Sequence, residues 1–141
     1  MPRFVLLWLL AICAAQAQTS RLTILGDPAN ASIDTIQVDP IPVAVSGDLR
    51  TLRIRVNRPI ERTSRDDIRY RSYESVVLFD CASRTARYLE IRFYLQPLWL
   101  GEVNTSVTYP DSTPRWMLFR EVEPNPYQRI INAACGAIGR R

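Results

Sequence analysis

Between Leu49 and Asn57 the side chains alternate: Leu52, Ile54 and Val56 are apolar, Arg53, Arg55 and Asn57 polar. Successive side chains of an extended chain point to opposite faces, so this pattern predicts a half-buried strand with a basic outer face. Arg71 to Cys81 predicts a longer strand, apolar on both faces from Val76 to Phe79 and therefore central in a sheet. Ala82-Ser83-Arg84-Thr85 is a short turn, and Arg87 to Leu95 the next strand, so the two should pair antiparallel. Within it, Leu89, Ile91, Phe93 and Leu95 are expected on one face, with Tyr88, Glu90, Arg92 and Tyr94 on the other. Shorter strands are expected at Leu22–Leu25, Ile33–Val38, Val103–Tyr109 and Arg115–Val122, with Gly26-Asp27-Pro28, Asp39-Pro40 and Pro110-Asp111 as breaks. Arg62 to Arg69 reads as a charged connection.

The period then changes. Asn125 can cap a helix, Pro126 suits its first turn, and Gly136 stops it. Tyr127, Ile131, Ala134 and Cys135 share one face of that helix. About ten residues are marginal as an isolated helix, so the apolar face must dock on the sheet. The expected fold is α+β: an antiparallel β-sheet of five or six strands with a C-terminal α-helix packed on one face.

The first segment is expected to lie outside this fold. Arg3 precedes an apolar run from Phe4 to Ala15, and Ala15-Gln16-Ala17 supplies a small-x-small site. This is the pattern of a signal peptide over residues 1–17, cut between Ala17 and Gln18. One domain, residues 18–141 with a core of about 22–136, should remain. The apolar run is about a dozen residues, whereas a transmembrane helix needs roughly 20. A rival reading takes Leu10-Ala11-Ile12-Cys13 as a lipid-attachment box, but such a box wants a small residue where Ile12 stands. After cleavage Cys81 and Cys135 remain, and two cysteines in an exported chain are expected to pair. The bridge would tie the helix to the end of the central strand.

The side-chain inventory narrows the chemistry. The chain of 141 residues carries 18 basic residues, all of them Arg, and 14 acids, for a formal charge of +4 with no His. A His general base, a Lys Schiff base, a His-ligated metal and the Ser-His or Cys-His pairs are thereby excluded. No cofactor or metal is expected. Asp66-Asp67 reads as a solvated turn, and Asp80 as a carboxylate receiving backbone N–H groups or an Arg84 fork. A carboxylate-only glycan hydrolase needs just two acids, and Asp80 with Glu90 or Glu102 would be the pair to suspect. Arg50, Arg53, Arg55, Arg58, Arg62, Arg65, Arg69 and Arg71 crowd one stretch, with Tyr70 and Tyr73 nearby. Arg53 and Arg55 would form the basic face, a candidate site for an anionic partner. Export, and the lack of any nucleic-acid-binding signature, argue against nucleic acid. Trp99, in the apolar turn Pro97-Leu98-Trp99-Leu100-Gly101, reads as part of a core-covering loop or of a contact patch. Trp116 is expected in the core beneath the helix.

Arg69-Tyr70-Arg71-Ser72, Asp80-Cys81-Ala82 followed by Arg84, the aromatic strand opened by Arg87, Trp116, the Pro-containing helix start and the final Cys135 together resemble the surface-adhesin protein E family, small exported proteins of Gram-negative bacteria. The resemblance runs from Arg69 to Gly136. It is weaker over Leu22 to Arg58, where Ile36-Gln37-Val38-Asp39 lacks the Tyr of the family's Tyr-x-Asp strand. It implies an antiparallel sheet with a C-terminal helix tethered by a disulfide, and a non-enzymatic attachment role in the periplasm or at the surface. The implied partners are host matrix or serum proteins, an anionic glycan or an envelope component. A structural envelope protein without a soluble ligand is the alternative.

Overall fold

In the computed structural model, which describes residues 20–136, the chain forms β1 (Leu22–Leu25), β2 (Thr35–Val38), β3 (Ala44–Ser46), β4 (Leu49–Thr63), β5 (Arg69–Asp80), β6 (Thr85–Tyr94), β7 (Thr105–Thr108), β8 (Arg115–Trp116) and α1 (Tyr127–Gly136). The expected signal peptide, the Ala17–Gln18 cleavage point and Cys13 lie outside the described residues. All pairings are antiparallel, in the order β1-β2-β4-β5-β6-β7, with β3 added to β4 and β8 to β6. The fold is α+β as expected, with more strands than the pattern predicted.

β4 owes its length to two segments joined by a bulge between Asn57 and Arg62, so it extends past Asn57 to take in Arg62 and Thr63, the start of the expected charged connection. A bulge bends the strand that carries it. The tip of the β4–β5 hairpin reaches the far side of the sheet, where Arg65 donates to the Trp116 carbonyl at 2.7 Å and Asp66 meets Tyr109 and Arg115. Asp66 is therefore a tie between distant segments rather than a solvated turn residue.

Leu52, Ile54 and Val56 on β4, Val77 and Phe79 on β5, and Ile36 and Val38 on β2 make one buried face. Helix α1 packs across β2, β4 and β5 with Ile130, Ile131 and Ala134 buried, and the Asn125 side chain accepts the Tyr127 N–H at 3.0 Å. Cys135, half-buried at the helix end, bridges to Cys81 just past β5, 54 positions away in sequence. Closing a loop of that size restricts the unfolded chain by roughly 4 kcal/mol. Gly26 ends β1 at φ 81°, and a Cβ there would lie 2.1 Å from the Asp34 carbonyl oxygen, so the turn into β2 requires glycine.

Three expectations need correction. The alternation predicted for Arg87–Leu95 does not hold along its length. A register shift at Val76/Val77 puts Ala86 and Tyr88 on the same buried face as Ile91 and Phe93, and Leu95, past the end of β6, is exposed. A bulge inserts one residue, and one residue inverts every later side chain. Only Arg115–Trp116 of the predicted Arg115–Val122 strand pairs with β6; beyond it Met117, Phe119 and Val122 are buried without strand pairing. Trp116 is 51% exposed, on the surface rather than beneath the helix.

Candidate functional site

Because Leu52, Ile54 and Val56 take the core face, Arg53 and Arg55 stand on the outer one. Thr23, Gln37, Arg55, Glu74 and Arg92 are successive partners in one row across five strands or strand neighbours. Gln37 donates to Thr23 Oγ1 at 3.0 Å, and its carbonyl oxygen accepts Arg55 Nε at 2.8 Å. The Arg55 guanidinium carbon lies 3.9 Å from the centroid of the Trp99 ring, a cation–π contact. Burial lowers the Arg55 pKa, Arg21 adds to the effect, and Glu74 opposes it. A guanidinium is basic enough to stay charged through this.

Trp99 itself is anchored. Its indole N–H donates to the carbonyls of Val56 at 3.2 Å and Tyr73 at 2.9 Å. Leu98 (φ 52°) and Trp99 (φ 58°) both sit in the left-handed region, which costs a non-glycine residue on the order of 1–3 kcal/mol. The cost is offset by fixed partners. Leu98 N–H donates to Asn57 Oδ1 at 2.8 Å, Trp99 N–H to Ser72 Oγ at 3.0 Å, and Ser72 Oγ in turn to the Gln96 carbonyl at 2.7 Å. The turn Pro97–Trp99 thus covers the outer face of β4 and β5, not the core. The structure brings the three predicted surface residues Arg53, Arg55 and Trp99 to one side of the sheet. A groove of about 140 Å³ runs there between Arg21, Arg53, Arg55 and Arg92, with Glu74 and Glu90 among them, leaving an excess of positive charge.

The suspected acid pair is not assembled. Asp80 accepts the backbone N–H groups of Ala82 and Ser83 at 3.0 and 3.2 Å, capping the β5–β6 turn; Arg84 turns away to Asn132. Glu90 sits five residues along β6 from Thr85, the partner of Asp80, which is roughly 17 Å of strand, and is paired with Arg92 at 3.0 Å. Glu102 lies beyond the other end of β6. Among the described residues no group of three or more Cys, Asp or Glu could hold a metal ion, and no helix is long and apolar enough to cross a membrane.

Sequence reasoning grouped Arg58, Arg62 and Arg65 with Arg53 and Arg55 in one Arg-crowded stretch without assigning them a face. They turn to the core side, where with Tyr70, Tyr73, Tyr88 and Arg115 they line a cavity of about 170 Å³. The available signal was parity, since Arg58 follows Leu52, Ile54 and Val56 in step. Its burial is enabled by Asp34, whose carboxylate receives Arg58 Nε at 2.7 Å.

No curated protein and no solved structure matches the chain. The family described as surface-adhesin protein E matches residues 23–136, from β1 through the last residue of α1 and including both bridged cysteines. The chain belongs to the surface-adhesin protein E family.

Proposed function

We propose that this is an exported, non-enzymatic attachment module that holds an anionic surface partner on the outer face of its sheet. Arg53 supplies an exposed charge, Arg55 an oriented one, and Trp99 the fixed surface against which Arg55 is held. The observation that carries this reading is the strained Leu98–Trp99 turn, in which two non-glycine residues in the left-handed region are kept in place by buried Asn57 and Ser72. Backbone strain that the surroundings over-determine concentrates at binding sites. The favoured partner class is an anionic glycan, because regularly spaced guanidinium groups suit repeating sulfate or carboxylate groups. The protein reaches this partner after cleavage between Ala17 and Gln18, as a domain of residues 18–141 at the cell surface. N-terminal sequencing of the exported protein and surface labelling of intact cells test that part.

The binding test uses immobilised heparin beside immobilised matrix proteins, titrated with salt. Binding to heparin that weakens as the Debye length shortens, and that falls at least about tenfold in Arg53→Gln/Arg55→Gln, supports the reading. Retention on matrix proteins alone moves the partner class to protein. Binding indifferent to salt and to both substitutions overturns the arginine face, and no binding to any surface favours a structural envelope role.

A further inference from the structure

On the opposite side of the sheet, we infer that the cavity under the β4–β5 hairpin tip is a second site, which takes a small organic anion built on one flat ring. Its wall is aromatic. Tyr70, Tyr73 and Phe93 meet edge-to-face or tilted, with centroids 5.3–5.9 Å apart, and Tyr73 meets Tyr88 at 6.2 Å. Its volume of about 170 Å³ is in the range of apolar cavities that accept a benzene-sized molecule, which is on the order of 150 Å³.

The depth of the cavity offers a hydrogen-bond donor. Tyr73 and Tyr88 are 6% and 3% exposed, and their hydroxyls lie 2.9 Å apart. Each phenol carries one proton, and a single bond between them uses one of the two. Neither hydroxyl has another partner among the described residues. The remaining O–H is a buried donor suited to an acceptor on the ring of a ligand.

The rim supplies positive charge. Arg58 is held by Asp34, Arg62 by Glu121, and Arg115 by Asp66. Asp66 is the acid that lines the cavity, and the Tyr109 hydroxyl also donates to it, so its charge is already met. Among the described residues, Arg65 donates only to the neutral Trp116 carbonyl and Arg120 has no carboxylate partner. Two arginines of the lining, Arg65 and Arg120, therefore lack among the described residues a counter-charge that a carboxylate or phosphate would provide. The site is independent of the outer arginine face, since β4 and β5 separate the two.

The test is titration of the exported protein with 4-hydroxybenzoate, followed by calorimetry and by the ring signals of Tyr73 and Tyr88 in NMR. Saturable binding is expected, with a Kd below about 1 mM, tighter than for benzoate and much tighter than for phenol or inorganic phosphate. Arg65→Gln, a substitution at an exposed residue, should weaken it roughly tenfold, and Tyr88→Phe should bring 4-hydroxybenzoate down to the level of benzoate. Arg53→Gln, on the other face, should leave it unchanged, which separates failure here from failure of the attachment role. No saturation by ~10 mM, equal binding of inorganic phosphate, or indifference to Arg65→Gln overturns the proposal.

Discussion

The side-chain carbonyl of Asn57 accepts the backbone N–H of Leu98 at 2.8 Å, while the amide nitrogen of Asn57 donates to the carbonyls of Ala31 and Ile33 at 3.2 and 3.1 Å. One fully buried side chain thereby joins the β4 bulge, the segment before β2 and the Trp99 turn. Asn57→Ala should cost about 2–4 kcal/mol, because three backbone groups lose a partner at once. Urea unfolding measures it. In a Trp116→Phe background, the emission of Trp99 should shift to the red as the turn loosens. An unshifted spectrum would show that Asn57 does not hold the turn.

Cys81→Ser should lower stability by roughly 4 kcal/mol through the freed 54-residue loop, and Tm by roughly 10 °C or more. Scanning calorimetry of the variant beside the oxidised protein reads this. Alkylation of either cysteine in the folded, unreduced protein would contradict the bridge.

The Arg58–Asp34 pair joins a buried guanidinium to a partly buried carboxylate, with side-chain exposures of 6% and 25%. Asp34→Asn leaves the guanidinium without its counter-charge and should cost about 3 kcal/mol, with little relief from added salt. Glu61→Gln removes the exposed partner of Arg69 and should change the urea midpoint hardly at all. Equal effects of the two substitutions would mean that Arg58 is solvated in solution.

Burial pushes the Tyr73 phenol well above its ordinary value and that of Tyr88 to about 12. A phenol that keeps its proton in the fold but loses it when unfolded contributes fully below about pH 10 and less as pH rises through its folded value. Stability should therefore be flat up to about pH 10 and then fall as pH rises toward the raised values of the two buried phenols. Tyr88→Phe should flatten that alkaline slope, whatever it does to stability at pH 7. Identical slopes in urea midpoints for both proteins would rule out the buried phenols as the cause.

Much of the local structure is written in the sequence by itself. The alternation of Leu52, Ile54 and Val56 with Arg53 and Arg55 set the faces of β4, and Asn125, Pro126 and Gly136 bounded α1. The pairing expected of Cys81 with Cys135, from residue count alone, is the bridge that forms. These signals are short-range: strand parity, capping and residue count act within a few positions or need no geometry. The tertiary structure decided the rest, because it depends on registers between strands. The shift at Val76/Val77 moved Tyr88 to the core face, beside Tyr73, where no reading of Arg87–Leu95 alone would place it. The bend after Asn57 carried Asp66 to Arg115, 49 positions away, and set Arg58, Arg62 and Arg65 around a cavity on the face opposite Arg53 and Arg55. A single inserted residue inverts every side chain after it, and nothing local in the chain records where the partner strand will absorb that insertion.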